Sequence, residues 1–566
     1  MDRLRCVLAS GGNHGLICSG PLHRLTTTYL QWKTAYTIPS WDEWGWIPQY
    51  RDIVARGLRL SDLLEQWNEH RLVFPRLVFM VDMIWARGSD TVDRAASDLL
   101  QCLTLATIIG MGRSALNGAP GAVMICFSAM LLLNAAQGDN VYMGFQVQFV
   151  MVYSAAVVAV ALAASAGGRT CKEASPGRIV ASWCAATVAT FSMANGIGAW
   201  LVISVLFMGS GPWSAITTVT LGAVEAVIFL HGYHGVSSPD HSGLADAAES
   251  LWACTSYMLT YLGAVLAPTN PALARLAGCG AIVLTLWWGW RKRGCFADPA
   301  PWPRFAAGVL VFVLFSGALT AVGRFRLGDD QALSSRYLTP GAVMWSVLGI
   351  AVAIDLNASL GSRARTAVTV CMACLAAAIG IYDEELGAEV MINQTAGMPL
   401  ASDAYIVGVK DGAALDEATT NIPLAWSVRP FLKDHGLGPF SETGSDWLER
   451  PVSSVFGGRT YAGCSGSVDN RILAGEGADA GSTFDGWAWG GPDGLPSRVL
   501  VTDAAGLVVG LAQSGMERPD VRAAMPEVKS DLAGFRGYAR ASAVAKLRFF
   551  AVSHDGRSLC QIGASG

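Results

Sequence analysis

Long apolar blocks alternate with short polar breaks between Leu99 and Ile381. The blocks are about 17–22 residues long, which is the length an α-helix needs to cross a hydrocarbon core of ~30 Å. This pattern predicts a mainly α, polytopic transmembrane helix bundle of about 10–12 spans. The predicted spans are Leu99–Leu116, Gly121–Ala136, Phe145–Ala166, Ile179–Met208, Trp213–Phe229, Leu251–Ala267, Leu273–Trp290, Phe305–Val322, Tyr337–Leu356 and Ala364–Ile381.

The chain before these blocks has a different pattern. Residues 1–38 contain only one apolar stretch, Leu4–Ile17, and glycines and polar residues interrupt it. It lacks the continuous apolar core and cleavage site of a signal peptide, so a degenerate first span is expected at most. Residues 39–98 are polar and aromatic, with apolar positions such as Leu72, Leu77 and Met80 at helical spacing. We expect an acidic and aromatic extracytoplasmic loop with helices lying at the membrane interface.

The Ile179–Met208 block is too long for one upright span, and Asn195 and Gly196 interrupt it. The block is compatible with a broken helix or with two short helices. The choice decides how often the block crosses the membrane and therefore on which side each later loop lies. The positive-inside rule favours a single crossing, because the basic clusters then share the cytoplasmic side. That choice places residues 39–98, the 324–336 loop and the C-terminal region outside. The clusters are Arg113, Arg169/Lys172/Arg178, Arg291/Lys292/Arg293 and Arg363/Arg365.

After Tyr382 no apolar run is long enough to span a membrane. We divide this part into an extracytoplasmic linker region, residues 383–450, and a soluble domain, residues 451–566. Short β-rich runs at 499–502, 507–510 and 547–552 are bounded by glycine, aspartate and proline, and the first two flank a hairpin turn at 503–506. The pattern predicts an all-β domain, most simply a β-sandwich.

Composition agrees with this division, because 52% of the residues are hydrophobic and only 15% are charged. A net charge of −4 gives no support for a nucleic-acid partner. The soluble region contains two cysteines, Cys464 and Cys560. Two cysteines in an extracytoplasmic domain predict a disulfide.

The first candidate chemistry lies in the loop at Asp42 and Glu43, between Trp41 and Trp44. Adjacent carboxylates suit a general base or a Mg²⁺ or Mn²⁺ ligand, and tryptophan faces stack on sugar rings. A solvated acidic turn in an aromatic membrane belt is the alternative. The same loop contains Asn68-Glu69-His70-Arg71, expected within one helical turn, where Arg71 and Arg76 could hold a phosphate. An ordinary charged helix face is the alternative there.

Other candidates lie at span ends. Arg324 and Arg336 with Tyr337 flank an outer loop, against the positive-inside tendency, so an anionic ligand such as a lipid phosphate is one explanation and snorkelling another. Polar residues at the mouth of a span usually face a cavity or another helix. Such residues are Gln146 and Gln148, and candidate ligands at another span end are His231 and His234. The sequence contains no Walker A, HExxH or GxSxG motif, so nucleotide-fed chemistry has no visible support.

The ordered set WDEW, NEHR, GFQVQF, FSMANG, FLHGYH and GR…SRY resembles the GT-C superfamily of integral-membrane glycosyltransferases, within a bacterial group of largely uncharacterised multi-span proteins. The resemblance extends from about Trp41 to Pro340. Two later stretches, Arg518–Val521 and Ala533–Phe535, are similar to that group's β-domain. It implies an inner-membrane protein whose donor is a sugar on a polyprenyl phosphate and whose acceptor is an extracytoplasmic glycan or lipid. The family normally begins with a clear first span, which this sequence lacks.

The resemblance also implies roles for individual residues. Asp42 would be the catalytic base, with Glu43 as neighbour or substitute, and Arg324, Arg336 and Arg71 would hold the lipid phosphate. The β-domain would bind the acceptor. One rival reading is an O-antigen-type polymerase or ligase, which uses a diphosphate-linked glycan. A lipid-linked sugar flippase is another, although the sequence shows no convincing inverted repeat.

Overall fold

The computed structural model describes residues 26–113, 118–166, 175–235, 242–297, 300–491, 494–542 and 544–563. The chain forms two compact units. The first comprises Met1–Thr34, Arg59–Phe79 and Val92–Met391, and the second comprises Ala35–Leu58, Met80–Thr91 and Ile392–Gly566. The predicted loop 39–98 is therefore divided between them. Its helices are Glu43–Arg56, Leu60–Leu64 and Val73–Val81, with a π-turn at Asp82–Ala86.

The described residues contain 8 helices that are long and apolar enough to cross a membrane, and the predicted helix bundle is confirmed. Two further apolar helices, Ala194–Phe207 and Leu251–Leu266, are shorter, which accounts for the difference from the ten predicted spans. The long helices are Thr91–Gly112, Ala119–Tyr142, Gly144–Ala166, Pro212–Leu230, Pro271–Arg291, Pro301–Leu327, Ser335–Leu356 and Ser362–Val407.

The predicted single crossing at Ile179–Met208 is wrong, because this segment forms two helices, Pro176–Thr190 and Gly198–Phe207. A short 3₁₀ turn at Ala194–Ile197 separates them. The turn is so tight that a Cβ on Gly196 would lie 1.9 Å from the Ala189 carbonyl oxygen. Only glycine, which has no Cβ, allows this close approach.

The two helices run in opposite directions. Arg178 and Ser182 donate to the carbonyls of Ser165 and Ala159, so the first helix is antiparallel to Val147–Ala166. The second helix is antiparallel to Pro301–Arg324, because Gly198 lies against Phe315 while Val202 and Leu206 lie against Gly308. The helices Val147–Ala166 and Pro301–Arg324 are antiparallel to each other, as the Tyr153–Ser316 hydrogen bond and the Val160–Gly308 contact show. The two short helices therefore run in opposite directions, and the chain turns back on itself between them.

The helix bundle has two chemically different ends. Arg178 lies at the end where the Val147–Ala166 helix finishes, and Lys292 bonds Asp355 at 2.9 Å near the end of the Leu338–Ser359 helix. Arg324 and Arg336 lie at the opposite end, which we call the arginine end. The end with Arg178, Lys292 and Arg365 is the basic end. For Arg178, Lys292 and Arg365 this is the grouping predicted from the positive-inside rule, whereas Arg169 and Lys172 lie outside the described residues. Which end faces the cytoplasm remains a prediction.

The last helix of the bundle is longer than predicted. It is continuous from Ser362 to Thr395, through the predicted boundary at Tyr382. Two acids of this helix, Asp383 and Glu384, are buried where they accept hydrogen bonds from the Asn134 amide and the Ala135 backbone. Hydropathy does not reveal this extension, because Asp383 and Glu384 lower the mean hydropathy although both side chains are hydrogen-bonded inside the bundle.

The second unit contains the predicted all-β region. The first unit contains two very short strands, β1 Gln66–Trp67 and β2 His70–Arg71. The strands of the second unit are β3 Ser465–Ala474, β4 Gly481–Trp489, β5 Arg498–Thr502, β6 Val508–Met516, β7 Gly534–Ala539, β8 Arg548–Val552 and β9 Leu559–Gln561. These seven form one antiparallel sheet in the order β3-β4-β7-β6-β5-β8-β9, rather than the two facing sheets of a sandwich. The hairpin predicted around residues 503–506 joins β5 to β6.

Helices precede the sheet in this unit. Met398–Val407 and Ile422–His435 are the longest of those after residue 392, and the first joins the sheet through polar contacts. Asp403 is fully buried, accepts from Gln513 at 3.2 Å, and forms an ion pair with Arg498. An apolar cluster that includes Phe484, Val499 and Phe535 covers one face of the sheet.

Candidate functional site at the arginine end

The arginine end is organised around an ion pair between Glu69 and Arg324. Their side chains approach to 2.6 Å and are about three-quarters buried. Glu69 lies in the turn between two very short strands, β1 Gln66–Trp67 and β2 His70–Arg71. Asn68 adopts the left-handed backbone conformation that this turn requires, with φ of 48°. The predicted helical turn at residues 68–71 is therefore wrong, and a hairpin presents the carboxylate instead.

Arg336 and three neutral side chains extend the site. The Arg336 guanidinium lies 5.4 Å from the centre of the Tyr337 ring. The amide of Gln331 donates to the Tyr337 hydroxyl at 3.2 Å and its oxygen accepts from the Tyr257 hydroxyl. Arg324 and Arg336 both lie within electrostatic range of the Tyr257 hydroxyl. Two guanidinium groups and two phenols thus share one region.

The charges in this region do not balance. Arg324 is paired with Glu69, whereas Arg336 forms no ion pair with any residue that the structure describes. The nearby Asp329 is already engaged, because it accepts from Ser256 at 2.6 Å and from Arg275 at 3.1 Å. The buried Nε of Arg336 also has no acceptor among the described residues. The site therefore offers a guanidinium group without an ion-pair partner among the described residues and an unused donor, which favour an anionic ligand.

Gln146 and Gln148 lie where the Val147–Ala166 helix begins, and both are buried. Their Oε1 atoms accept no hydrogen bond from the described residues. Phe149 on the same helix stacks edge-on against Tyr337, with ring centres 5.8 Å apart, and so connects this segment to the arginine site. Buried acceptors without donors are uncommon and suit a ligand that supplies hydroxyl groups.

Arg71 and Arg76 have structural partners. The Arg71 guanidinium donates to the backbone carbonyls of Leu64, Phe229 and His231. Arg76 donates to the carbonyls of Leu63 and Glu65 at 2.8 and 2.6 Å. Burial lowers the pKa of Arg76 to about 10. The contacts of Arg71 fasten the β1–β2 hairpin to its surroundings. The buried Nη2 of Arg76 has no acceptor among the described residues, so a phosphate role for Arg76 stays a prediction.

The histidines also contribute mainly to this hairpin. His70 Nδ1 accepts from the Ala194 amide at 3.2 Å, which joins the hairpin to the turn between the two antiparallel helices. His231 contributes its backbone carbonyl to Arg71, and the backbone of His234 pairs with Gln66. The imidazoles of His231 and His234 are exposed.

Asp42 and Glu43 belong to the second unit. Glu43 is 6% exposed, and its carboxylate accepts from the Ser40 amide at 3.0 Å, in the turn that precedes the Glu43–Arg56 helix. Asp42 is exposed at the start of that helix. Trp44 is buried beside Tyr405 and donates to the Ala418 carbonyl at 3.2 Å. With one carboxylate buried and the other exposed, the pair does not present the oxygen cage of a Mg²⁺ or Mn²⁺ site.

Sequence reasoning missed Tyr257, Gln331 and a buried polar group deeper in the bundle. In that group Asn195 donates to Tyr153 at 3.1 Å and to Ser316 at 2.6 Å, and Tyr153 bonds Tyr261 at 2.8 Å. Hydroxyl and amide groups do not interrupt a hydropathy profile, so only polar positions within predicted spans could have indicated them.

The soluble domain contains the disulfide that was predicted from its two cysteines. Cys464 and Cys560 are bonded, with Cα atoms 6.1 Å apart and 96 positions between them in the sequence. Cys560 lies in β9, at the edge of the sheet, and Cys464 directly precedes β3 at the other edge.

Among solved structures, the chain is similar to ArnT from Cupriavidus metallidurans bound to undecaprenyl phosphate. The identity is 15% and the TM-score 0.42, over 94% of this chain and 100% of that one. The apo form of ArnT gives 17% identity and a TM-score of 0.39 over 74% and 75% of the two chains. No family model and no curated protein matches the sequence. At these TM-scores the similarity supports no functional argument, so the chemistry of the site must be judged from its own side chains.

Proposed function

We propose that this chain is a membrane glycosyltransferase. It moves a sugar from a polyprenyl-phosphate-linked donor to an extracytoplasmic glycan or lipid acceptor. The bundle supplies the apolar surroundings that a polyprenyl chain requires, and the arginine end supplies cationic groups at the end of that bundle. The acceptor-binding role of the β-domain and the placement of the arginine end outside the cytoplasm are parts of the same proposal.

The observation that carries the proposal is the unbalanced charge at the arginine end. One carboxylate, Glu69, neutralises one of two guanidinium groups, and Arg336 retains an unused donor. Arginine donors in a fork arrangement match phosphate oxygens, and a partly buried site strengthens the attraction. A phosphate on a lipid tail is the anion that reaches this depth most readily.

In the proposed reaction a hydroxyl oxygen of the acceptor attacks the anomeric carbon of the donor sugar. The bond between that carbon and the phosphate oxygen breaks, and its electron pair leaves with the polyprenyl phosphate. The phosphate gains one negative charge in this step, so Arg324 and Arg336 stabilise the leaving group more than the ground state. Gln146 and Gln148 would accept hydrogen bonds from sugar hydroxyls. The attack from the opposite face inverts the anomeric centre.

The hydroxyl proton must be taken up by a base. Asp42 is the candidate, because it is the exposed member of the acidic pair, and the resemblance to the superfamily assigns the base to this position. Glu43 is already engaged with the Ser40 amide.

The test replaces Arg324 and Arg336 separately with Gln and measures transfer from synthetic polyprenyl-phosphate sugars in proteoliposomes. We expect kcat to fall by about 10²–10³-fold in each variant, the range seen when one transition-state donor is removed. Arg326→Gln is the matched control, because Arg326 is a nearby arginine that pairs with the exposed Asp246 at 2.5 Å. It should retain activity.

Three outcomes would contradict the proposal. Equal activity of the Arg324 and Arg336 variants and the unmodified protein would remove the assigned role of the arginines. Turnover of a diphosphate-linked glycan, with no transfer from any monophosphate-linked donor, would favour the polymerase or ligase. Transport of the intact donor across the vesicle without transfer would favour a flippase.

A further inference from the structure

The basic end of the bundle contains an apolar slot that the proposed reaction does not use. It lies where three helices come together: the start of Gly118–Leu132, the end of Leu338–Ser359 and the start of Ser362–Thr395. The space between its walls, counted together with the open solvent at its mouth, is about 330 Å³. Its lining includes Pro120, Met124, Leu356, Leu360, Arg365 and Met372.

The slot is apolar inside and cationic at its mouth. Thr369 also lines it, but its hydroxyl donates to the Arg365 carbonyl of its own helix at 2.8 Å and so is already paired. Arg365 is exposed and donates to the Leu360 carbonyl at 3.1 Å. That contact holds the guanidinium at the gap between the two helices. It uses one of the five donor hydrogens of the group and leaves others available.

The charge around the slot is positive. The carboxylate of Asp355, the residue before Leu356, is neutralised by Lys292 at 2.9 Å and Arg291 at 3.8 Å. Arg293 lies against Trp290, with 4.7 Å between the guanidinium carbon and the ring centre. Tryptophan beside arginine is typical of the headgroup layer of a bilayer. The mouth of the slot therefore lies at headgroup depth, where two cations share the single carboxylate of Asp355.

We propose that this slot binds an anionic phospholipid from the surrounding bilayer. One acyl chain enters between the three helices, and the phosphodiester contacts Arg365. From Arg365 to Met372 the helix rises about 10 Å, so the slot receives the first part of an acyl chain and not a whole lipid. A net negative headgroup is favoured over a zwitterionic one, because no carboxylate at the mouth remains to pair with a choline or ethanolamine. This inference is independent of the proposed function, which concerns the opposite end.

The test uses the full chain in detergent with added phosphatidylglycerol or phosphatidylcholine at equal mole fraction. Retained lipid is counted by native mass spectrometry, and the melting temperature is recorded in parallel. We expect at least fivefold more phosphatidylglycerol than phosphatidylcholine to be retained, and a higher melting temperature with phosphatidylglycerol. Arg365→Gln should abolish this preference. Arg363→Gln is the matched control, since Arg363 is exposed on the same turn but does not line the slot.

A second variant, Met124→Trp, fills the slot without changing charge. It should reduce retention of both lipids while the unliganded protein keeps a single melting transition, which shows that it is folded. Equal loss in the Arg363 and Arg365 variants would show general surface attraction and overturn the proposal. So would equal retention of the two lipids by the unmodified chain, or undiminished retention by the folded Met124→Trp protein.

Discussion

Asp42 and Glu43 are neighbours in the sequence and differ in what surrounds them. Glu43 turns inward to the Ser40 amide, and the Glu43 amide bonds the Ser40 carbonyl at 3.1 Å. Ser40 and Glu43 have the spacing of a capping box, but the helix begins at Glu43 with Asp42 at the N-cap and without a side-chain cap. Burial and the bond to the Ser40 amide distinguish Glu43 from the candidate base, Asp42.

The two acids should therefore respond differently to substitution. Asp42→Asn removes the proposed base and leaves the Ser40–Glu43 hydrogen bond, so transfer activity should fall by about 10²–10⁴-fold with an unchanged melting temperature. Glu43→Ala leaves the buried Ser40 amide without its acceptor and should lower the free energy of unfolding by about 1–3 kcal/mol, with activity reduced far less. Transfer assays and thermal melts on both variants make the comparison. Full activity of Asp42→Asn would remove the base assignment.

Other site residues differ in how far the sequence reveals them. Arg324 and Arg336 stand out because cations on the outer side of predicted spans need a local reason. Arg71 has the same charge, but its donors go to three carbonyls, and that use depends on the β1–β2 hairpin folding against residues 229–231. Tyr257 and Gln331 are 74 positions apart and carry no charge. Their meeting is a product of tertiary structure and has no local signal.

Helices in this bundle approach each other closely at glycines. Hydropathy located the apolar blocks well, since burial in lipid or protein requires them in either case. It could not locate the reversal at Gly196, because a turn and a continuous helix have the same composition there. Hydropathy also predicted too early an end for the last helix, because Asp383 and Glu384, which hydrogen-bond inside the bundle, resemble the start of a polar segment outside the membrane.

Gly387 in that last helix offers a test of the close packing. A Cβ at this position would lie 2.0 Å from the backbone carbon of Ala135, which cannot move aside as a flexible side chain could. Gly387→Ala should lower the free energy of unfolding by about 1–3 kcal/mol, as expected for overpacking. Gly280→Ala is the control, because Gly280 is also helical and has no atom within 4 Å of the added Cβ. The melting temperatures of the Gly387→Ala and Gly280→Ala variants are measured in detergent. Equal values would contradict the close packing of Gly387 against Ala135.

For the whole chain, the helix bundle and the β-domain followed from the pattern of apolar runs, while the assignment of residues 35–91 did not. This segment alternates between the two units at Thr34, Leu58, Phe79 and Thr91. Such exchange depends on contacts far apart in sequence, for example between the Trp41 amide and the Ala418 carbonyl at 2.7 Å. Local periodicity therefore predicted its helices but not the unit to which each belongs.

The side of the membrane on which the soluble domain lies can be tested with the cysteines of the chain itself. Disulfides persist outside the cytoplasm and are reduced within it. If the domain is extracytoplasmic, Cys464 and Cys560 should resist alkylation when cells are lysed into denaturant with a thiol reagent, and should react after a reductant is added. Cys371 and Cys374 are free thiols and serve as internal controls that react in both samples. Peptide mass spectrometry reads all four positions in one experiment. Alkylation of Cys464 and Cys560 without reductant would place the domain in the cytoplasm. It would also contradict an extracytoplasmic acceptor, because the proposed base Asp42 belongs to the same compact unit as the domain.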